Sequence, residues 1–228
     1  MPQHLDDAPL LPGFEPAPLP AGFHFLPGHF DAAEQAALLA ELRQLLAEAP
    51  LFQQAMPRSG APLSVRMSGA GTWGWVTDKV GGYRYQRTHP VTGHAWPAIP
   101  ERLLRLWAEA TGEARPPNQC LINYYDAKAR LGLHQDKDAV SLGGPVVSVS
   151  LGDDARFAVG GLARNAPLQR LDLHSGDVVW FGGAGRLLFH GVDRIRFGSS
   201  ALLAEGGRLN VTLRRIEGVP RPDGTLPG

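Results

Sequence analysis

The sequence predicts a mostly β protein in which helices come first and an antiparallel sandwich or barrel follows. From Asn118 onward, the runs "CLINYY", "GPVVSVSLG", "ARFAV", "LQRLDL", "GDVVWFGG", "RLLFHGV" and "GRLNVTLRRI" are short, β-rich and separated by Gly, Pro, Asn and Asp. No helical pattern lies between them, which rules against alternating βαβ units. Two amphipathic segments with capping signals precede them. No internal repeat is visible.

The first helix is expected in "FDAAEQAALLAELRQLLAEAP". Asp31 suits an N-cap, and Glu34 three residues on completes a capping box. Leu38, Leu42, Leu45 and Leu46 make the apolar stripe, and Pro50 ends the helix. In "IPERLLRLWAEATGE", Leu103, Leu104 and Trp107 face inward and Gly112 is the stop. Residues 1–30 carry seven prolines and read as an extended arm. The expected organisation is therefore an arm over 1–30, helices and a nucleotide-recognition segment over 31–117, a β core over 118–217 and a tail over 218–228. The 228 residues suffice for one catalytic domain built this way.

Composition excludes some classes of function. No run of about 18 apolar residues exists, so no membrane-spanning helix is expected. The first residues lack the regions of a secretory signal, and Cys120 is the only cysteine. An internal disulfide is ruled out, and a reducing cytoplasm is the expected location. The formal charge is zero, which argues against a non-specific nucleic-acid coat. Residues 51–94 are locally basic, however, with Arg58, Arg66, Lys79, Arg84 and Arg87 against Asp78. In "GTWGWVTDKVGGYRYQ", Trp73, Trp75, Tyr83 and Tyr85 are interleaved with Lys79 and Arg84. Aromatics stack bases and cations hold phosphates, which suits single-stranded or flipped-out nucleotides. Trp73 is expected in the core.

Chemistry-bearing residues cluster later. In "GLHQDKD", His134 and Asp136 point the same way if the segment is extended. His190 in "RLLFHGV", expected at the end of an apolar strand, is a third candidate ligand. Two histidines and a carboxylate make the facial triad of non-haem Fe(II) oxygenases. Zinc hydrolases also use two histidines and a carboxylate, but no HExxH helix is present; the alternative is that His134 hydrogen-bonds in a turn and His190 is a packed aromatic. In "RLNVTLRR", Arg208, Asn210, Thr212 and Arg214 share one strand face, and Leu209, Val211 and Leu213 share the other. Two guanidiniums on one face suit a small dicarboxylate, although arginines also decorate edge strands. In "NYY", Asn123 and Tyr125 share a face, with Tyr124 between them.

Taken in order, "NQCLINYY", "LHQDKD", "PVVSVSLG", "GDVVWFGG", "RLLFHGV" and "RLNVTLRR" closely resemble the AlkB family of 2-oxoglutarate- and Fe(II)-dependent dioxygenases. The resemblance covers about Met67 to Ile216 and implies a double-stranded β-helix, or jelly-roll, core. It implies that His134, Asp136 and His190 hold Fe(II), with O₂ as oxidant. It makes Asn123, Tyr124, Tyr125, Arg208, Asn210 and Arg214 the 2-oxoglutarate contacts. Arg208 would hold the distal carboxylate, and Arg214 and Asn210 would lie near the chelating one. Trp75 matches the tryptophan that packs on an alkylated base, and Tyr83 the tyrosine near it, with one more residue between them than the family spacing. Arg84 and Tyr85 complete that segment. Asp138 matches a carboxylate facing the base, where it would favour a cationic 1-methyladenine or 3-methylcytosine. Arg164 matches a rim arginine. Gln135 and Lys137 read as plain surface residues.

The implied activity is oxidative demethylation of N-alkylated bases in single-stranded or flipped-out DNA by a monomer. The same chemistry on RNA or a protein side chain is one alternative. A β-sandwich that merely binds nucleic acid and packs its histidines is another.

Overall fold

The computed structural model describes residues 18–137 and 144–218. Helix α1 spans Ala32–Glu48. The Asp31 carboxylate accepts from the Glu34 N–H at 2.8 Å, and the Glu34 carboxylate accepts from the Asp31 N–H at 3.0 Å. The expected capping box is thus formed. Helix α2, Glu101–Thr111, ends at Gly112 with φ 67°, a left-handed C-terminal stop.

Both apolar stripes differ from the expected ones by one edge residue. Leu39 joins Leu38, Leu42 and Leu45 in the core, whereas Leu46 is half-buried. Leu106 is buried with Leu103 and Trp107, whereas Leu104 is half-buried. Positions 103, 106 and 107 follow the i, i+3, i+4 rule, and Leu104 sits at the margin of that stripe.

The described strands, in chain order, are β1 (Phe23–Leu26), β2 (Phe52–Ala55), β3 (Pro62–Gly71), β4 (Gly74–Asp78), β5 (Gly82–Gln86), β6 (Gln119–Tyr125) and β7 (Leu131–His134), then β8 (Val146–Gly152), β9 (Asp154–Val159), β10 (Gln169–Leu173), β11 (Val178–Phe181), β12 (His190–Arg196) and β13 (Arg208–Arg214). The major sheet has the order β1-β11-β8-β13-β6-β3-β2. The minor sheet has the order β10-β9-β12-β7, and β4 and β5 form a separate hairpin. The ladders within these sheets are antiparallel. The mostly β, jelly-roll expectation holds. The N-terminal half contributes more than helices, because β1, β2 and β3 pair into the same sheet as β6, β8 and β13.

Period-two alternation gives the major sheet two different faces. On one, Ile122, Val149, Val211 and Leu213 pack with Leu38, Leu42, Leu103 and Trp107 of the helices. On the other, Leu121, Tyr125, Val179 and Phe181 meet Phe157, Val159, Val192 and Ile195 of the minor sheet. The cavity lies between the two sheets. His190 opens β12 instead of closing a strand, because "RLLF" lies outside strand and follows a short 3₁₀ turn at Gly183–Gly185. Among the described residues, no helix is long and apolar enough to cross a membrane. Cys120 is buried, and burial pushes its thiol up to about 12.

Gly74 starts the hairpin strand that carries Trp75, and a Cβ there would overlap the Trp96 ring. Gly74→Ala is expected to destabilise the fold by about 1–3 kcal/mol through overpacking. Urea unfolding of the two proteins measures the difference.

Candidate active site

Three side chains converge where the two sheets meet. His134 ends β7, Asp136 lies two residues beyond it, and His190 opens β12. The ladder sets His134 directly opposite His190. Gly191 permits this approach: a Cβ there would lie 2.7 Å from the Leu131 carbonyl. The imidazole centroids are 4.5 Å apart. His134 Nε2 lies 3.7 Å from Asp136 Oδ1, and His190 Nε2 lies 3.9 Å from Asp136 Oδ2. One donor atom from each residue falls within 4.8 Å of the others.

Both rings are oriented by backbone. His134 Nδ1 is 2.9 Å from the Gly132 carbonyl, and His190 Nδ1 is 2.9 Å from the Leu188 carbonyl. Nδ1 must carry the proton in each, which leaves Nε2 as the ligand atom. Burial, aided by the neighbouring His134, lowers the His190 pKa to about 4, so the ring is neutral near pH 7. Burial also opposes ionisation of Asp136, but Arg214, His190, His134 and Arg186 together outweigh it and hold the carboxyl well below the usual range. The donor set is therefore two imidazoles and a carboxylate, which is what a divalent iron takes.

The cavity face of β13 matches the expected one, with Arg208, Asn210, Thr212 and Arg214 on the wall. Arg214 Nη2 donates to Asp136 Oδ2 at 2.7 Å, with both side chains about nine-tenths buried. Arg208 is 1% exposed, and its Nη2 donates to Ser150 Oγ at 2.9 Å. Its Nε and Nη1 have no hydrogen-bond partner, and no carboxylate pairs with it among the described residues. The Tyr125 ring lies 5.4 Å away, and burial pushes the Tyr125 hydroxyl up to about 12. A buried guanidinium lacking its counter-ion costs several kcal/mol. A carboxylate entering this cavity supplies that counter-ion in a bidentate fork. Asn123 Nδ2 donates to Asn210 Oδ1 at 3.1 Å, and Asn123 Oδ1 is left unpartnered. Asn210 is otherwise engaged by Ser148 Oγ at 2.6 Å and by Thr212.

Tyr124 does not belong with these residues. It sits at the odd position between Asn123 and Tyr125, so it faces the helix-side core and its hydroxyl donates to the Gly206 carbonyl at 3.2 Å.

Trp75 lines the same cavity, and its ring stacks on Tyr83 with centroids 5.6 Å apart. In the hairpin register Trp75 faces Tyr85, Thr77 faces Tyr83, and Val76 faces Arg84. Parity therefore turns Arg84 to the opposite face, where it pairs with Asp78 at 2.7 Å. Trp73, expected in the core, is half-buried in the preceding turn with the Arg87 guanidinium 4.6 Å above its ring. Arg164 is exposed and donates to the Leu133 carbonyl at 2.9 Å, next to the ligand His134. Asp138 lies outside the described residues.

Sequence reasoning missed three polar anchors. Gln54 is buried and holds the hairpin through the Trp75 carbonyl and the Thr77 N–H. Gln135 is not plain surface, because its amide donates to the Leu187 carbonyl at 2.7 Å. Arg186 is buried and donates to the Asp136 carbonyl at 2.6 Å. Ser148 and Ser150 were signalled by the alternation "VVSVS", which puts hydroxyls on the cavity face of β8.

A His-Asp-His triad beside an unmatched buried arginine, between the sheets of a jelly roll, defines a 2-oxoglutarate-using iron oxygenase. Residues 22–214 match the 2OG-Fe(II) oxygenase superfamily. A protein of Caulobacter vibrioides described as an alpha-ketoglutarate-dependent dioxygenase AlkB homolog is 45% identical over 201 residues, covering 88% of this chain and 90% of that one. The Arabidopsis thaliana protein named DNA N(6)-methyladenine demethylase ALKBH1C is 32% identical, covering 89% of this chain and 50% of its own length. The solved structure of OsALKBH1 superposes with a TM-score of 0.72 at 32% identity, covering 86% of this chain and 99% of that one. The chain belongs to the 2OG-Fe(II) oxygenase superfamily and, within it, to the AlkB family. It is a dioxygenase that uses Fe(II), 2-oxoglutarate and O₂.

Arg208→Ala is expected to weaken 2-oxoglutarate binding by about 2–5 kcal/mol, as for truncation of a buried charge pair. Titration of the metal-loaded protein with 2-oxoglutarate measures it, and an unchanged affinity would refute this assignment.

Proposed function

We propose that this protein repairs DNA by oxidative demethylation of N-alkylated bases such as 1-methyladenine and 3-methylcytosine. The observation that carries this reading is a single cavity. It holds the His-Asp-His triad and the unmatched Arg208, and Trp75 lines its wall. The similarity to ALKBH1C, a protein named as a DNA N(6)-methyladenine demethylase, supports DNA as the polymer.

His134, Asp136 and His190 hold Fe(II) in this reading. Arg208 grips the distal carboxylate of 2-oxoglutarate, and Asn123, Tyr125, Asn210 and Arg214 line the rest of its site. Fe(II), 2-oxoglutarate and O₂ together supply the oxidation that places a hydroxyl on the N-methyl carbon, with succinate and CO₂ as co-products and formaldehyde lost from the resulting hemiaminal. The protein binds, orients and excludes water. Trp75 packs on the base, Tyr83 supports Trp75 from its far side, and Tyr85 and Arg164 sit at the margin. Asp138 faces the base in the family pattern and has the charge to favour a cationic lesion. A base within a duplex cannot reach the triad, so the target is single-stranded or flipped out. One chain supplies every group named, which fits a monomer.

The test is release of succinate and formaldehyde from 1-methyladenine and 3-methylcytosine oligonucleotides, offered as DNA and RNA, single and double stranded. Turnover on DNA above RNA is expected, and the reverse order would make RNA the substrate. Trp75→Ala is expected to weaken productive binding of the methylated oligonucleotide by about 1–3 kcal/mol, the worth of a base–aromatic stack. It should raise KM and leave 2-oxoglutarate decarboxylation without nucleic acid nearly unchanged. Equal loss of both activities would make Trp75 a purely structural residue.

A further inference from the structure

We propose that Arg186 and Gln135 are positioning residues that clasp the His134–Asp136 segment to the segment leading into His190 and so hold the three ligands together before a metal arrives. The inference rests on the reading of those three residues as the metal site.

The clasp is reciprocal. Gln135 Nε2 donates to the Leu187 carbonyl at 2.7 Å, and Arg186 Nη1 donates to the Asp136 carbonyl at 2.6 Å. Each segment thus gives one side-chain donor and one backbone acceptor, from adjacent residues on both sides. Arg186 Nε also donates to the Gly144 carbonyl at 2.7 Å, which draws in the chain leading to β8. Arg186 is 6% exposed. Burial opposes its charge, and Asp136 is the neighbour that most favours it.

The strand ladder cannot do this work alone. The β7–β12 pairing has two register pairs, His190 opposite His134 and Val192 opposite Leu131, with an irregularity between them. It places the two imidazoles, whereas Asp136 lies past the end of β7 with no ladder to hold it. Two arginines divide that task. Arg214 holds the Asp136 carboxylate, and Arg186 holds the Asp136 backbone. Gln135 steadies Leu187, the residue before Leu188, whose carbonyl orients His190. Groups that orient metal ligands in this way typically change metal affinity when removed, even though they never touch the ion.

The experiment is anaerobic titration with Co(II), followed by its visible absorption, on the full-length wild type, Arg186→Met, Arg186→Lys, Gln135→Ala and Asp136→Ala. Thermal unfolding of each metal-free protein is recorded in parallel. Wild type is expected to bind Co(II) stoichiometrically, and Asp136→Ala to lose that binding. Arg186→Met should weaken it by roughly 10–100-fold, with Gln135→Ala weaker in the same direction and Arg186→Lys recovering part of the loss. Folded Arg186→Met and Gln135→Ala that bind Co(II) within about twofold of wild type would overturn the clasp, even with lowered melting temperatures, because a merely structural role moves only those. Should Arg186→Met fail to fold, Arg186→Lys and Gln135→Ala decide by the same criterion. Wild type that does not bind Co(II), or Asp136→Ala that binds it as tightly as wild type, would sink the metal site itself and the clasp with it.

Discussion

The cavity is organised around the charge of one carboxylate. Asp136 sits between two sheets, in a place where burial alone would keep it protonated and useless as a ligand. Arg214 at 2.7 Å reverses that balance, and Arg186 and the two imidazoles add to it. An unpaired carboxylate in such a place would cost several kcal/mol, so the arginines are a condition of the site and not an ornament. His190 has the opposite problem and the same solution. Burial keeps it neutral, and the Leu188 carbonyl takes its Nδ1 proton. Asp136 and His190 are thus already in the ionisation states that a divalent cation requires.

That arrangement leaves a surplus of positive charge. Among the described residues lining the cavity, Arg208 and Arg214 face one carboxylate, Asp136, whose backbone carbonyl also accepts from Arg186. A dicarboxylate is the simplest ligand whose charge matches the excess. Arg208 is where the mismatch is sharpest, because two of its nitrogens are buried without acceptors while its third rests on Ser150. The site is therefore shaped for an anion as much as for a metal. A triad without such an arginine would bind a cation and leave it without its co-substrate.

Much of this was legible in the sequence because strands obey a period of two. The alternation in "RLNVTLRR" separates Leu209, Val211 and Leu213 from Arg208, Asn210 and Arg214, and the structure sends the first set to the helices and the second to the cavity. The same parity, applied strictly, turns Tyr124 away from the co-substrate cavity and Arg84 to the face of the hairpin opposite Trp75. Elsewhere the signal was weak. "FQQA" is short and polar at its centre, and the alternation Leu63, Val65, Met67 in "PLSVRMSGAG" breaks off at Gly69 and Gly71, so β2 and β3 did not declare themselves as members of the main sheet. Trp73 looked like core because tryptophan usually is, but Arg87 covers its ring at the surface instead. Gln54, Gln135 and Arg186 act through carbonyls contributed by residues distant in sequence. A single polar side chain whose partners are backbone atoms leaves no pattern to read.

The hairpin that carries Trp75 is built apart from the triad. β4 and β5 form a sheet of their own, joined to the rest through Gln54 and through Val76 packed on Trp96. A tight turn sets the spacing between Trp75 and Tyr83. The Asp78 Oδ1 accepts from the N–H groups of both Val80 and Gly81, at 2.9 and 2.7 Å, and Gly82 takes φ 63°. The strands then resume in register, with Asp78 opposite Gly82 and Trp75 opposite Tyr85. Tyr83 comes to lie diagonally across from Trp75, close enough to stack. The tip of the turn is exposed, and Val80 there is fully accessible. His134 and His190 are held by the minor sheet, and Asp136 by Arg214 of the major sheet and by Arg186, so none of the three depends on the hairpin for its place.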